Sequence, residues 1–495
     1  MAVTLTDLPK PAELEPPYLP LGQGHRAADW LTEEEVAADQ RRRLYGAMIE
    51  LVAEHGYTAV GIRELAGLAH TSLQAIYKCW GSKENYFLAT YDMIVTRAIE
   101  RVASAYASQQ DWQQRLRCAF GALAAEVVEQ PQAALLALSE VLGAGPAGLA
   151  RLDETRSVFE AMVGAGFAEA PDGPLPPIIV KGIVRGVERI IRQRLLAGRE
   201  HELPELTEQL LAWALSYHSP AAAELATKAP QPAPPARNPL RQDPRDVRVY
   251  LLRIAAETAA TGGWTQLTSG RIAINADISA RQVRELCGDD PRKCFVDALG
   301  LLSAEALICA RHAARQSHDR LAGLHLGIQA LVQRLERDRT LCQLAFVEIF
   351  ALGPSAIKDR EALLSTFTKT LSNALPADAR PAPLHAEASI GAMWGVIHHH
   401  VTHAQTSQLP ALAGELSYLA LAPAVGAQQA IRTINSARHD PAMRQHRATS
   451  RQPSGTYRNG HDGRLAAPTN PRQPTAKAAP RCPRSTRTPE NQGKS

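Results

Sequence analysis

The chain has 495 residues, of which 45% are hydrophobic and 21% charged, and its formal net charge is +4. This length exceeds what one hydrophobic core sustains, so we expect two to four domains. No apolar run reaches the ~18 residues of a membrane span, and the N-terminal residues lack a basic-then-apolar signal pattern. The composition therefore argues against a membrane or secreted protein and predicts a cytoplasmic one.

The positive charge is concentrated at the C-terminal end. From Ile431 onward the chain has 13 Lys and Arg against 3 Asp and Glu, so this segment carries +10 and the remainder −6. The segment is also rich in Pro, Arg and Ser, which predicts a disordered tail. Such a tail is either simply solvated or adds weak electrostatic attraction to nucleic acid.

The seven cysteines are scattered and contain no Cys-x-x-Cys pair. This pattern is typical of reduced core thiols in a cytoplasmic protein rather than of a disulfide framework. They stand at positions 79, 118, 287, 294, 309, 342 and 482.

The body of the chain repeats itself. His55-Gly56-Tyr57-Thr58 is matched 207 positions later by Gly262-Gly263-Trp264-Thr265, and Gly145-Pro146 is matched at an offset of 208 by Gly353-Pro354. A near-constant offset over more than a hundred residues indicates a duplication of a helical unit of about 200 residues. The Pro- and Ala-rich stretch 218–244 predicts a linker between the copies.

In the first copy, apolar residues at helical spacing predict three helices in succession. Residues 62–69 form the second of these, His70-Thr71 is the turn, and Ser72 is suited to cap a third helix that runs through Trp80. Two short helices at a tight angle predict a helix-turn-helix over residues 61–80.

The polar side chains of this third helix point away from its apolar face, where a DNA major groove would lie. Gln74 and the hydroxyl groups suit base edges, whereas Tyr77 and Lys78 suit phosphate oxygens, although lysines are also common on solvated faces. The start of a fourth helix, with Lys83, is able to hold another phosphate. The predicted contacts are Thr71, Ser72, Gln74, Ala75, Tyr77, Lys78 and Lys83.

The segment LVAEHGYTAVGIRELAGLAHTSLQAIYKCWGSKENYFLA resembles the N-terminal domain of the TetR family of transcriptional regulators. His70-Thr71 depart from the family's usual Gly-Val, which alters the turn without removing it. The residues that follow the family's pattern are Gly56-Tyr57, Leu65-Ala66, Ser72, Ile76-Tyr77, Trp80 and Ser82-Lys83-Glu84.

The N-terminal stretches LPLGQGH and QRRR resemble an arm found in some members of this family. This resemblance implies that Arg41, Arg42 and Arg43 lie near the phosphate backbone or the minor groove. The alternative is a run of charges that flanks a helix and keeps the protein soluble.

The second copy follows the pattern less closely. Ser269 stands in place of an apolar core residue, Arg284 in place of tyrosine and Cys287 in place of a large aromatic residue. An extra residue near Pro291 is expected to disturb the start of the fourth helix. Because Arg281 and Arg284 remain able to contact phosphate, this head is either a working DNA reader or a degenerate, structural one.

The resemblance implies an all-α fold in which each head is followed by a helical bundle that binds a small, mostly apolar effector. We therefore predict two tandem TetR-like units. The predicted ranges are an N-terminal arm at 1–38, a first DNA-binding domain at 39–98, a first bundle at 99–217, the linker at 218–244, a second DNA-binding domain at 245–305 with its helix-turn-helix at 268–287, a second bundle at 306–426 and a tail at 427–495.

Bundles of this kind dimerise through their last two helices, which implicates PPIIVKGIVRGVERIIRQRL and SIGAMWGVIHHHVTH. Small residues at four-residue spacing, such as Gly182 and Gly186, permit close helix approach, as do Gly391 and Gly395. We predict that the two copies pair within one chain as a pseudo-dimer, with an ordinary homodimer as the alternative.

The sequence shows no catalytic or metal-binding motif. We find no Gly-rich phosphate loop, G-x-S-x-G elbow or H-E-x-x-H helix, so we expect neither an enzyme nor a cofactor. His399 and His403 share a helix face, but no acidic or cysteine partner accompanies them in the segment. They are therefore interpreted as a polar helix face or a pocket lining rather than as metal ligands.

These observations predict a sequence-specific regulator of transcription that binds double-stranded DNA and acts as a repressor modulated by an effector. Effector binding would favour a head spacing that cannot straddle the operator. The rival hypothesis is a ligand-sensing or protein-interaction module that has lost DNA binding.

Overall fold

The computed structural model describes residues 33–219 and 247–437. Every regular element in these ranges is helical, which confirms the predicted all-α fold. The arm up to residue 32, the linker from residue 220 to 246 and the tail beyond residue 437 lie outside the described residues, as does Cys482.

The first range carries a run of three helices followed by a bundle. Short 3₁₀ segments at Glu140–Ala144 and Glu200–Glu202 join some of them. The α-helices are α1 (Glu33–His55), α2 (Ile62–Leu68), α3 (Leu73–Trp80), α4 (Lys83–Ala107), α5 (Trp112–Glu129), α6 (Pro131–Leu138), α7 (Gly145–Ala168), α8 (Pro177–Leu196) and α9 (Leu203–Leu215).

The second range follows a similar order of helices. A π-helical turn at Leu344–Glu348 separates α15 from α16, and 3₁₀ segments occupy Trp264–Gln266, Ala377–Ala379 and Thr406–Leu412. The α-helices are α10 (Val247–Gly262), α11 (Ser269–Ala276), α12 (Ala280–Cys287), α13 (Pro291–Ala314), α14 (Arg320–Arg337), α15 (Arg339–Gln343), α16 (Ile349–Ala351), α17 (Pro354–Ala374), α18 (Pro383–Thr402), α19 (Ala413–Val425) and α20 (Ala427–Ala437).

Two of these boundaries differ from the predicted domain limits. Helix α1 begins at Glu33, inside the range assigned to the arm, and α20 occupies residues assigned to the tail. Ala430, Ile431 and Ile434 of α20 are buried, because an apolar stripe at helical spacing continues past residue 426. The folded body therefore extends through residue 437.

The apolar side chains form two cores. One lies within the first head: α1 to α4 enclose Met48, Leu65, Ile76 and Phe87, and α6 closes the cluster with Leu136. The other core runs from the lower part of α4 through both bundles and includes α10 to α12. The first head thus has a core of its own, whereas the core of the second head is continuous with the bundles.

Helices α8 and α18 pack closely against each other, and glycines make this approach possible. A Cβ atom added at Gly391 would lie 2.7 Å from Cβ of Arg189, and one at Gly395 would lie 2.3 Å from Cβ of Arg185. A side chain at either position would therefore force the helices apart. Beside this contact, Nε1 of Trp213 on α9 donates to Oγ of Ser389 on α18 at 3.1 Å.

Within the described residues, no helix alone combines the length and the apolar composition of a membrane span. Pro131–Leu138 and Glu140–Ala168 meet that test only when they are taken together across a 44° bend.

Candidate nucleic-acid interface

The turn between α2 and α3 closes on a left-handed residue, His70, whose φ is 50°. The N–H of Thr71 donates to the carbonyl of Ala66 at 3.0 Å, which ends α2 and redirects the chain. Histidine and aspartate tolerate this conformation better than most residues with a side chain. Asp277 adopts it at φ 54° between α11 and α12, so both turns form without the family's usual glycine.

The orientation of α3 is fixed at both of its ends. Oγ of Ser72 accepts a hydrogen bond from the N–H of Ala75 at 3.1 Å, which is an N-cap as predicted. Ile76 is fully buried, and Trp80 stacks on Tyr86 with ring centroids 4.5 Å apart. With one face held in this way, the opposite face of α3 points to solvent.

The predicted reading residues occupy this solvent face. Gln74, Tyr77 and Lys78 are exposed, and 51% of the Tyr77 surface is accessible. Thr71 and Ala75 are half-buried at its edge. Among the described residues, no carboxylate lies within ion-pair distance of Lys78. The helix therefore presents an amide, a phenol and an ammonium group, which suits DNA chemically.

Lys83 lies differently from the prediction, because it is half-buried within the head. Its Nζ donates to the carbonyl of Tyr57 at 2.6 Å and sits 4.4 Å from the centre of the Tyr57 ring. Burial lowers the pKa of this ammonium group. Lys83 thus joins the start of α4 to the loop after α1, a structural contact that the sequence did not predict beside the expected phosphate contact.

The three arginines near the middle of α1, Arg41 to Arg43, lie in different environments. Arg41 is exposed, and Arg42 is half-buried. Arg43 donates from Nε to Asp39 at 3.0 Å and from Nη1 to the carbonyl of Ala69 at 3.1 Å. Its guanidinium therefore holds the end of α2 against α1, a structural role in place of the predicted backbone contact.

The corresponding face of α12 in the second head carries charges of both signs. Arg281 pairs with Glu285 at 2.7 Å, and Arg284 lies 3.6 Å from Asp289. Both arginines are exposed, so their guanidinium groups remain able to reach phosphate, but the neighbouring carboxylates repel it. The face of α12 is hence less attractive to DNA than that of α3.

The fourth helix of the second head begins without disturbance, contrary to the prediction. Asp290 caps α13 by accepting a hydrogen bond from the N–H of Arg292 at 2.9 Å, and Pro291 occupies the first turn, where proline fits. Cys287, which replaces a large aromatic residue, is buried. The extra residue is accommodated in the loop, where it supplies Asp289.

Each head is tied to its bundle by a buried or partly buried carboxylate. Oε2 of Glu140 accepts a hydrogen bond from the N–H of Tyr57 at 2.9 Å, and Oε2 of Glu348 accepts one from the N–H of Trp264 at 2.9 Å. Glu140 lies between α6 and α7, and burial raises its pKa. The loop after α1 is therefore connected directly to the middle of the bundle.

The first bundle encloses an apolar cavity of about 130 Å³ between α4, α5, α6, α7 and α8. Phe120, Phe159 and Met162 line it, and Arg156 and Glu188 stand at its inner wall as a buried ion pair with contacts of 2.6 and 2.8 Å. An apolar cavity of this order is large enough to hold a ring the size of benzene.

The structure brings Asp153 to His399 and His403, a partner that the sequence could not reveal because it lies on a distant helix. One ligand atom from each falls within 4.8 Å of the others. The other Asp153 oxygen lies 3.3 Å from Arg156 and 3.5 Å from Arg185. The carboxylate of Asp153 is thus already paired with two guanidinium groups, whose positive charges oppose the binding of a metal cation.

Comparison with known proteins identifies the first head. Residues 45–90 match the family described as "Bacterial regulatory proteins, tetR family". No curated protein matches the chain.

Several solved structures are similar to parts of it. The transcriptional regulator FadR from Bacillus subtilis in complex with stearoyl-CoA is 14% identical, with a TM-score of 0.33, over 35% of this chain and 97% of that one. FadR from Bacillus halodurans is also 14% identical at a TM-score of 0.33, over 36% and 94%. A TetR-like regulator from Rhodococcus sp. RHA1 is 17% identical at 0.33, over 38% and 100%.

The family match coincides with the capped helix-turn-helix and includes the solvent face of α3. It supports a DNA-binding transcriptional regulator, and the resemblance predicted for the first head is confirmed. Residues 45–90 are thus similar to the N-terminal domain of the bacterial tetR family of regulatory proteins.

Proposed function

We propose that the protein is a sequence-specific repressor that binds its operator chiefly through the first head. The observation that carries this proposal is the solvent face of α3, where Gln74, Tyr77 and Lys78 are exposed on a helix whose other face is locked into the core. Gln74 would read base edges, while Tyr77 and Lys78 would fix the register on phosphates.

The second head would contribute less to affinity and specificity. Its arginines lie beside Glu285 and Asp289, whose negative charges repel phosphate and would offset part of any gain from phosphate contacts. The operator would therefore be asymmetric, with one well-read half-site.

The two heads would belong to two tandem TetR-like units that pair within one chain as a pseudo-dimer. Two features support this arrangement. The matched residues Glu140 and Glu348 make equivalent hydrogen bonds to the matched loops, and α8 packs on α18 as the last helices of a dimer would. A monomer would then supply both heads needed to span two half-sites.

The effector would be a small, mostly apolar molecule held in the cavity of the first bundle. A ligand that displaces α6 or α7 would also displace Glu140, which lies between them. Because this carboxylate accepts a hydrogen bond from the N–H of Tyr57, the loop of the first head would move with it. The ligand would stabilise a head spacing that does not fit the operator and so release DNA.

Fluorescence anisotropy with the DNA upstream of the protein's own gene tests DNA reading. Gln74→Ala should weaken specific binding by about 5- to 150-fold while leaving the affinity for unrelated DNA unchanged. Gln113→Ala, which alters an exposed glutamine of α5, is the matched control. Equal affinity of the native protein for specific and unrelated DNA would instead support the ligand-sensing or interaction module without DNA reading.

Native mass measurement of the protein bound to this DNA tests the pseudo-dimer. One chain per operator is the expected result. Two chains per operator would support ordinary homodimerisation and would contradict pairing of the two copies within the chain.

A further inference from the structure

A second, smaller cavity lies where α8, α17 and α18 meet, beside the apolar cavity of the first bundle. Its volume is about 20 Å³, which is enough for one small ion or water molecule. The side chains that line it come from both halves of the chain and include Arg185, Arg189, Arg360, Trp394 and His398.

Several buried donors on the residues that line this cavity make no hydrogen bond within the described residues, although Nη1 of Arg185 lies 3.7 Å from Glu188. They are Nε and Nη1 of Arg185, Nη2 of Arg189, Nε of Arg360 and Nε1 of Trp394. Buried polar groups almost always have partners, so a cluster of five such donors requires an explanation. A single water molecule accepts about two hydrogen bonds, so one water would leave most of these five donors without a partner.

The charges around the cavity do not balance. Two buried carboxylates lie near the cavity, Glu188 and Glu361, and each side chain is at most 9% exposed. They face five arginines at most 7% exposed, namely Arg156, Arg185, Arg189, Arg192 and Arg360. The rim adds two cations and four half-buried carboxylates, so the surplus falls to one positive charge (seven cations against six carboxylates): Lys181 and Arg194 with Asp153, Glu160, Glu202 and Glu387.

The pKa values of the buried cationic groups are lowered, as a surplus of positive charge would cause. Burial, together with the neighbouring arginines, lowers the pKa of Arg185 and of Arg360 to about 10. His398 is kept neutral, because burial and the nearby guanidinium groups lower its pKa well below the ordinary value of 6.5. A bound anion would reduce the electrostatic repulsion that Arg185, Arg360 and His398 experience from the neighbouring guanidinium groups.

We infer that this cavity is a binding site for a small anion, held by Arg185, Arg189, Arg360 and Trp394 at the contact between α8 and α18. The free volume fits a monovalent inorganic anion of the size of chloride or bromide. Arg156 and Glu188 form a wall common to both cavities, so the alternative source of the negative charge is the carboxylate head group of a ligand whose tail lies in the apolar cavity. The bound anion stabilises the joined bundles, since its ligands come from both of them.

Thermal unfolding of the full chain in different sodium salts tests the site. At equal ionic strength, chloride and bromide should raise the unfolding midpoint by about 2–4 °C over isethionate, a sulfonate too large for the cavity, and the rise should saturate. Octanoate compared with octanol distinguishes the source of the charge. A rise with octanoate alone identifies a ligand head group, whereas equal midpoints in all salts and with both amphiphiles would overturn the site.

Variants locate the effect. Arg360→Gln should abolish the saturable rise, whereas Arg199→Gln, at an exposed arginine paired with Glu202, should retain it. Persistence of the rise in R360Q would contradict the assignment. Should R360Q fail to fold, anomalous scattering from native crystals soaked in bromide replaces it: a bromide peak between Arg185 and Arg360 is expected, and its absence there would refute the proposal.

Discussion

The carboxylate of Glu140 accepts a hydrogen bond from the N–H of Tyr57, 83 residues earlier in the chain. Tyr57 belongs to the loop that ends α1, and its ring packs on Phe87 with centroids 4.4 Å apart. Glu140 lies on the short 3₁₀ segment between α6 and α7, which also borders the apolar core of the head. One side chain thus joins the reading head to the helices around the apolar cavity.

Replacement of Glu140 by alanine should loosen this junction. The N–H of Tyr57 would lose its acceptor in a partly buried site, so the free energy of unfolding should fall by about 1–3 kcal/mol. Urea unfolding followed by circular dichroism measures the change. Glu154→Ala, at a carboxylate that is 68% exposed, serves as the control and should change stability by less than about 0.5 kcal/mol. Equal decreases in the free energy of unfolding of both variants would show that the Glu140 hydrogen bond does not stabilise the protein.

The same carboxylate predicts a pH dependence. Burial raises its pKa above the ordinary 4.5, so the folded protein holds this proton more tightly than the unfolded chain does. The stabilising contribution is therefore complete below pH 4.5 and is lost as the pH rises through the raised pKa. Glu140→Gln keeps an acceptor for Tyr57 but does not ionise, so its stability relative to the native protein should be greater at about pH 7.5 than at about pH 4. A pH-independent difference in urea unfolding would contradict this.

The two lysines near the reading face should behave differently. Lys78 is exposed, so Lys78→Ala should leave stability unchanged and lower the slope of log affinity for DNA against log salt by about one. Lys83 is engaged with Tyr57, so Lys83→Ala should instead lower the midpoint of thermal unfolding. Anisotropy at several salt concentrations, paired with thermal melts, separates the two effects. A change of slope without any loss of stability in K83A would restore Lys83 as a phosphate ligand.

The sequence was sufficient to predict the helices of the first head and the exposed face of α3, because these features depend on residues close together in the chain. The apolar period, the Ser72 cap and the buried Ile76 predicted α2, α3 and the outward direction of Gln74, Tyr77 and Lys78, as the structure shows. Helix periodicity and capping depend on residues within a few positions of each other, so one sequence contains the necessary information.

Partners that are distant along the chain were not predictable in this way. Lys83 and Arg43 looked like surface cations, but their acceptors are main-chain carbonyls at Tyr57 and Ala69, and a carbonyl leaves no mark in a sequence. Asp153 likewise meets His403 only because α7 and α18 are adjacent. The surplus of arginines between the bundles arises from the same long-range packing.

The packing of α8 on α18 gives a final prediction about the pairing of the two halves. Gly391→Ala would place a Cβ atom 2.7 Å from Cβ of Arg189, a contact that a backbone-proximal atom cannot avoid by a rotamer change. We expect a loss of about 1–3 kcal/mol in the free energy of unfolding. Gly300→Ala in α13 is the matched control: no atom lies within 4 Å of its added Cβ, so it should stabilise by about 0.5–1 kcal/mol.

The dependence of these unfolding midpoints on protein concentration then shows which molecules supply the two helices. If α8 meets α18 of the same chain, the midpoints of the native protein and of G391A will both be independent of concentration, because no association accompanies folding. If the contact joined two chains instead, the unfolding midpoints would rise with protein concentration. The dimer of G391A would then also dissociate at higher protein concentrations than the native dimer. For an intramolecular contact, we therefore expect G391A to unfold at a lower free energy than the native protein at every protein concentration. The control G300A should not show this loss of stability.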